Sequence, residues 1–455
     1  MNQRPAGLNP AILLMASVLL AACASERAQP LPVRPGLAGS VAQLDRSRPD
    51  AAPIPADRPL TLGEVGLLAA QNSPDLRALR AQQGVARAQV IQAGLLPDLT
   101  LSGSYNVLLA GPAVANAIGA TLTGDITSLI SLSARRLAAS KLAQQVDANT
   151  VWQEWQTISR AQTLTIDLIE QGRLLHSLRQ TLAILQRRAA TSQRGVAQGN
   201  ATLQTLAPDI AAVTSLQTQL DAAVLAQDER WQSLDALLGL APDIRPMLNT
   251  AVSVPAISNA DAAAMVESLP TRRPDLIALQ LGYASQEASL RAAVLGQFPA
   301  LMLGPNYGDD TSRVQSFGPS VSIGLPIFNR NRGAVAVQRA TREQLRAEYE
   351  ARLATAAAGA RALLANLALQ TGQLAAAKAG LAMAQRLAAD AEAALRAGLI
   401  DELSYVQLVV ARLEKERQVI GLEQQVLDGR TALATLLGAG LPPVHLTVPK
   451  QPSLI

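Results

Sequence analysis

The sequence predicts a mainly helical chain made of two copies of one unit, each a helix, a pair of short β-strands and a long helical hairpin. Three features carry that expectation: an apolar composition almost without rings, two long proline-free stretches, and an internal echo at a nearly constant offset. Hydrophobic residues make up 49% of the 455 residues, but Phe, Trp and Tyr together make up only 2%. Ala, Leu and Val therefore carry the apolar content, which is ample for burial and excludes disorder for most of the chain. A large enzyme core normally draws on aromatic anchors, whereas Ala and Leu suit helices packed closely side by side. The 39 Lys and Arg against 35 Asp and Glu leave a formal charge of +4, too slight a surplus to indicate nucleic acid. Two His and one Cys are too few for zinc or iron–sulfur chemistry, and no cofactor is expected.

At the N-terminus, Arg4 precedes a short apolar run over residues 11–20, and Leu20-Ala21-Ala22-Cys23 closes it. The run is too short to span a bilayer as a helix, and residues 1–22 have the layout of a secretory signal. The closing tetrapeptide resembles the lipobox of bacterial lipoproteins. That resemblance implies a mature chain starting at Cys23, with a diacylglyceryl group on its thiol and an acyl chain such as palmitate on its amine. An ordinary signal peptide with an incidental Cys is the plainer alternative. The position of the chain's one Cys at the cleavage point favours lipidation, and several acyl chains on one residue anchor stably. Ala24 follows where an Asp would not, as in lipoproteins exported to the outer membrane. Residues 23–60, rich in Pro, Ala and Arg, read as a lipid-anchored extended tether.

The internal echo comes next in chain order. Pro74-Asp75-Leu76 through Leu79 returns as Pro274-Asp275-Leu276 through Leu279, and Pro97 to Tyr105 returns as Pro299 to Tyr307. Ala197-Gln198-Gly199 is matched by Arg396-Ala397-Gly398, and Leu237-Leu238-Gly239 by Leu436-Leu437-Gly438. Four matches in one order indicate a duplication. Each copy opens with a helical segment, roughly 62–94 and 261–296. Each then has a β region followed by a stretch without proline, from Pro112 to Pro208 and from Pro326 to Pro442. Proline inside a helix costs about 3 kcal/mol, so these gaps are where uninterrupted helices can run. Leu175, Leu178, Leu182, Leu185 and Ala189 have the alternating spacing of a helix–helix seam. Roughly 55–60 helical residues would reach about 85 Å. Gly199 and Gly398 then mark the tight turns of two hairpins.

In the β regions the period changes to two. Leu99 to Val107 alternates apolar or Gly with Thr, Ser and Asn; Ile118 to Thr123 and Ser320 to Leu325 do the same, and Leu301 to Tyr307 less cleanly. A half-buried sheet in a soluble domain would also alternate. Here, however, the second face carries hydroxyls and amides with almost no charge, and residues 110–120 are uncharged, as in strands with lipid on one side and water on the other. Four strands cannot close a barrel, and an open edge in lipid leaves backbone groups unpaired at several kcal/mol each. A spanning barrel must therefore be shared among subunits. The expected boundaries are 61–240 for the first repeat with strands within about 97–130, a linker over 241–260, 261–439 for the second repeat with strands within about 299–328, and a tail over 440–455.

With the lipobox, the two repeats and these landmarks, the chain resembles the TolC-like outer-membrane efflux factors from residue 60 onward. The most specific piece is Gly324-Leu325-Pro326-Ile327-Phe328-Asn329-Arg330-Asn331-Arg332-Gly333, similar to the family's strand-to-helix junction and closer in wording to its cation-efflux branch than to its drug branch. The resemblance implies a homotrimer with a 12-stranded β-barrel continued by a long α-helical periplasmic barrel. It implies the exit duct of a tripartite efflux system of the resistance-nodulation-division type, passive and without a catalytic step. Its partners would be a periplasmic membrane-fusion adaptor, an inner-membrane pump and outer-membrane lipid.

Two kinds of site residue follow from the resemblance. Gly199, Gly398 and Leu399 match the tips that dock the adaptor. The family often places acidic residues six and nine positions after the second tip glycine, where they line the closed aperture; here those positions are Ser404 and Gln407. Asp401 and Glu402 lie within one turn and stand as replacements, with Asp209 near the first tip, or all three are ordinary solvated carboxylates. A ring of threefold-related carboxylates would favour cations and raise its own pKa values.

His176 and His445 lie 269 positions apart without carboxylates at ligand spacing, and no phosphate-cradling loop or nucleophile elbow stands out. Arg135-Arg136 and Arg187-Arg188 read as solvated helix faces or subunit salt bridges. A lipid-anchored coiled-coil structural protein without a channel, and an outer-membrane duct for polypeptide secretion, are the competing readings. A secreted enzyme would need a catalytic constellation. Among cargoes, metal cations, drugs, solvents and polypeptides all stay open.

Overall fold

The computed structural model describes residues 28–47, 52–110 and 115–441. The expected signal segment, Cys23, His445 and nearly all of the expected tail lie outside the described residues. The chain divides into two units. In the first, which ends at Leu37, the described residues form no helix or strand and are exposed. The second, from Ala38 onward, holds every long helix and strand.

The duplication is visible in the order of elements. The first copy runs α1 (Leu62–Asn72), α2 (Pro74–Gly94), β1 (Thr100–Asn106), β2 (Ala117–Asp125), α3 (Ile126–Ala197) and α4 (Leu203–Leu238). The second runs α5 (Asn259–Glu267), α6 (Leu269–Arg272), α7 (Pro274–Leu295), β3 (Ala300–Asp309), β4 (Gln315–Gly324), α8 (Arg332–Arg396) and α9 (Glu402–Leu437). The leading helices are broken where continuous segments are expected. Ser73 and Arg273 hold ψ of 125° and 120° because a following proline ring bars the α region, and the next helix starts with that proline.

The long helices exceed the expected length: α3 has 72 residues and α8 has 65, about 108 Å and 98 Å at 1.5 Å per residue. In the first copy no loop intervenes between strand and helix. Asp125 ends β2 and caps α3, accepting the Ser128 N–H at 3.1 Å. Pro208, which bounds the proline-free stretch, lies inside α4, close enough to its start that one intrahelical bond is lost.

Leu175, Leu178 and Leu182 of α3 pack against Leu216, Leu220 and Ala223 of α4 with Leu185 beside them, so the alternating spacing does form the hairpin seam. Another core joins Leu44, Ile54 and Leu60 to Val65 and Leu68 of α1 and to Leu234 and Leu238 of α4. This corrects the extended tether over residues 23–60 for its part beyond Ala38. The Ala38 N–H donates to the Gly239 carbonyl at 2.9 Å and the Leu60 N–H to the Met247 carbonyl at 2.8 Å. Burying three aliphatic side chains there offsets the loss of chain freedom in this proline-rich segment. In the second copy, Ala262, Leu269 and Leu276 pack on Ala356 and Ala360 of α8 and on Leu433 and Leu437 of α9.

The strands form one antiparallel sheet in sequence order. Opposed pairs include Leu101 with Leu122, Tyr105 with Ile118, Ala120 with Tyr307, Leu303 with Val321, Leu301 with Ile323 and Tyr307 with Phe317. Opposed residues share a face, so one apolar face runs across all four strands. The other face carries Ser102, Thr121, Thr123, Asn306, Ser320 and Ser322, with Thr121 Oγ1 donating to Asn306 Oδ1 at 2.7 Å. Between β2 and β3 the register skips Leu122 and Thr123 against Gly304 and Pro305. Pro305 has no N–H to give, and Gly304 lies so close to β2 that a Cβ there would stand 1.7 Å from the Leu122 carbonyl oxygen. Hence the less clean alternation of Leu301 to Tyr307. β1 and β4 each have a free edge among the described residues.

Candidate functional site

The hairpin tips are built by the same backbone device twice. Gly199 and Gly398 have φ of +75° and +71°. Their N–H groups donate to the carbonyls of Val196 and Leu395, each at 3.0 Å, and the next N–H groups, of Asn200 and Leu399, reach Gly195 and Ala394 at 2.8 and 2.9 Å. This Schellman arrangement satisfies carbonyls that a helix end leaves open. A side chain in that left-handed conformation costs roughly 1–2 kcal/mol, so glycine is the residue that fits.

Beyond the turn the tips differ. Thr202 precedes α4 without a side-chain cap bond, whereas Asp401 caps α9 by accepting the Ser404 N–H at 2.8 Å. Hydrogen bonding from Ser404 holds the Asp401 carboxyl below its ordinary value. Among the gate candidates, Asp401 and Ser404 are therefore engaged with each other, while Glu402 and Gln407 are exposed and Ser404 is half-buried. Leu399 is 78% exposed at the turn.

Asp209 is not a solvated carboxylate. It is buried between the helices of the first hairpin, with Oδ1 at 2.8 Å from Arg188 Nη2 and Oδ2 accepting from Ser192 Oγ at 2.6 Å. Arg188, expected on a solvated face or in a subunit bridge, is thus spent within its own hairpin. Its partner sits opposite because α4 runs back along α3 from the Gly199 turn.

A polar seam invisible to the sequence joins the two copies along α3 and α9. Arg173 bridges Glu170 and Glu423 at 2.7 Å each, and Lys378 also reaches Glu423 at 2.7 Å. Gln424 Nε2 donates to Asp167 Oδ1 at 2.5 Å, and Arg417 Nη1 to Thr181 Oγ1 at 3.2 Å. Burial, and then the negative charge of Asp167, push the Asp428 carboxyl up to about 7. Asp428 Oδ1 has no hydrogen-bond partner among the described residues. Toward the tips, Ile184 of α3 and Tyr405 pack on Ala388, Val409 and Leu413. Arg173 and Glu423 stand 250 positions apart, and no spacing rule links them.

His176 is exposed and lies 2.8 Å from Gln180 Nε2. Among the described residues no group of three or more His, Cys, Asp or Glu is placed to hold a metal ion, and no helix is long and apolar enough to cross a membrane.

A family model described as outer membrane efflux protein matches residues 265–439, nearly the whole second copy. The pyoverdine export outer membrane protein OpmQ of Pseudomonas putida is 27% identical over 368 residues, covering 73% of this chain and 76% of that protein. The Campylobacter jejuni CmeC outer membrane channel superposes with a TM-score of 0.69 at 17% identity, over 84% of this chain and 86% of that one. The outer-membrane channel OprN gives 0.67 at 17% identity over 83% and 90%, and CusC gives 0.66 at 19% over 83% and 92%. At such identities the structures speak for the fold alone, whereas the family match and OpmQ carry the kinship. Together with two repeats that place a membrane-type sheet above paired helical hairpins, they make this chain similar to the outer-membrane efflux proteins over its second copy and to OpmQ over most of its length, with the fold of solved outer-membrane channels.

Proposed function

We propose that the chain is the exit duct of a tripartite efflux system: a lipid-anchored homotrimer that conducts cargo passively from an inner-membrane pump and a periplasmic adaptor across the outer membrane. One observation carries this reading. The four strands share a continuous apolar face, yet β1 and β4 keep open edges among the described residues. Lipid accommodates the face, but backbone groups at an open edge in lipid stay unpaired. Three copies joined edge to edge close a barrel of twelve strands and remove every edge. The other face, with its small hydroxyls, lines a lumen wide enough for water. The helical hairpins extend the lumen, Gly199, Gly398 and Leu399 meet the adaptor, and Asp401, Glu402, Ser404 and Gln407 lie where the aperture closes. Energy comes from the pump, since this chain has no catalytic step.

The domain reading is retained in adjusted form: a signal segment over 1–22, lipid on Cys23, a tether that ends near Leu37, and two repeats. OpmQ is described as a pyoverdine exporter, which supports export of a small organic molecule as the first cargo to test, against divalent cations as the alternative.

Purified protein in planar bilayers should conduct ions in steps, and Ile323→Arg or Leu101→Arg should abolish insertion. Trimers that conduct nothing, even with the tip opened by Gly398→Pro, would overturn the channel reading. Mass spectrometry of the mature chain tests the anchor: three acyl chains on Cys23, lost in Cys23→Ser. Deletion strains compared for divalent-metal sensitivity, drug sensitivity and pyoverdine release then sort the cargo.

A further inference from the structure

The ends of the sheet differ in a way that the channel reading does not use. On the helical side, the chain leaves β4 through Leu325, Ile327 and Phe328, all exposed, with Phe328 at 95%. Phe298 precedes β3 at the same end, where Ala300 opposes Gly324. At the far end of the apolar face stand Tyr105, Tyr307 and Phe317. β3 and β4 have ten residues each, about 33 Å along the strand and about 25 Å of depth when tilted by roughly 40°. That is the height of a membrane barrel's apolar band, so the two sets of rings mark its two boundaries.

Beyond β4 the charge is of one sign. Residues 325–342 contain Arg330, Arg332, Arg339 and Arg342 and no acid, whereas residues 309–314 at the opposite end contain Asp309 and Asp310 against Arg313. Arg342 is paired with Glu287 and Glu343. Arg330 and Arg332 are exposed and have no ion-pair partner among the described residues. Their position is held: Arg330 and Asn331 take left-handed φ of 44° and 52°, and Asn331 Nδ2 donates to the Ala293 carbonyl at 2.7 Å, pinning the joint to the end of α7. Two guanidinium groups therefore stand two and four residues beyond the exposed ring of Phe328 at the boundary of the apolar band.

We infer that this joint binds anionic phospholipid headgroups of the periplasmic leaflet, Arg330 and Arg332 taking the phosphate and Phe328 seating in the acyl boundary; the inference rests on the membrane reading of the sheet. Guanidinium matches phosphate oxygens with paired N–H donors. A soluble phosphate would use the arginines and leave Phe328, Ile327 and Leu325 in water; a lipid uses both. Basic residues at an anionic membrane surface each strengthen binding by about fivefold.

The test uses the full chain in vesicles of phosphatidylcholine with or without phosphatidylglycerol, and in detergent with either lipid or inorganic phosphate added. Native mass spectrometry reads the lipid retained and thermal unfolding reads its effect. Wild type should retain phosphatidylglycerol over phosphatidylcholine by at least tenfold. Arg330→Gln with Arg332→Gln should lose that preference while still inserting and conducting. Arg330→Lys with Arg332→Lys should keep most of it, and Arg361→Gln, at an exposed position within α8 and far along the chain from the joint, all of it. Equal retention of both lipids by wild type, an undiminished preference in the double Gln variant, or inorganic phosphate displacing the lipid would overturn the proposal alone. Failure of wild type to insert in either vesicle would instead overturn the membrane reading and this proposal with it.

Discussion

Arg188 and Asp209 clamp the first hairpin just behind its tip, guanidinium to carboxylate at 2.8 Å, with the carboxylate buried between the helices and also taking the Ser192 hydroxyl. The second copy has no such pair at the matching place: the counterpart of Asp209 is Leu408, and apolar packing of Val409 and Leu413 replaces it. The two tips, alike in their glycine turns, are thus fastened by different physics.

Removing one partner of the clamp should cost more than removing both. Arg188→Ala leaves a buried carboxylate uncompensated, a loss of about 2–3 kcal/mol after allowing for the partial exposure of the arginine. Arg188→Leu with Asp209→Leu should recover most of it. Hydrogen exchange over residues 188–212 provides the measurement, with faster exchange expected in the single variant than in the double.

Gly304 is the tightest point of the sheet. Gly304→Ala should block assembly, because its Cβ would stand 1.7 Å from the Leu122 carbonyl oxygen, whereas Gly318→Ala, which meets nothing within 4 Å, should assemble normally. The yield of membrane-inserted oligomer distinguishes the two; equal yields would show that β2 and β3 do not lie this close.

Asp401 serves first as a cap. Its carboxyl is held below 3.8 by the Ser404 hydrogen bonds, so its contribution is complete above that value and is lost as pH falls through its lowered folded value. Asp401→Ser keeps a capping oxygen and should leave protection of the first turn of α9 nearly unchanged. Any fall in cation selectivity of the conductance in that variant then reports an acidic ring at the aperture. Unchanged selectivity assigns Asp401 to capping alone.

Asp428 gives a pH signature of the opposite sign. Its carboxyl is raised from 3.8 to about 7, by burial and then by Asp167, with Glu170 adding to the rise and Arg230 opposing it. Folding therefore favours the protonated form, so stability is greatest below 3.8, declines up to about 7 and stays flat above. Asp428→Asn should match wild type near pH 4 and unfold several degrees higher near pH 8. A gap of equal size at both pH values would refute this.

Periodicity and proline placement determined which segments are helix, strand and turn, because those signals act over a few residues and leave their mark in local order. The duplication made the same reading available twice, and the left-handed glycines at both tips follow from it. The alternation of Leu101, Gly103 and Tyr105 specified a two-faced strand before any pairing was known. Tertiary structure decided what the partners are. Only the register across four strands shows that the apolar residues share one face. Packing of α4 back along α3 turns Asp209 from an exposed acid into a buried one, and meeting of α3 with α9 sets Arg173 beside Glu423. The stretch from Ala38 to Leu60 looked like tether because composition counts prolines, whereas its fold depends on where Leu44, Ile54 and Leu60 find a groove. Local order is written in spacing; burial and charge pairing depend on contacts between residues far apart in the chain, where no spacing rule reaches.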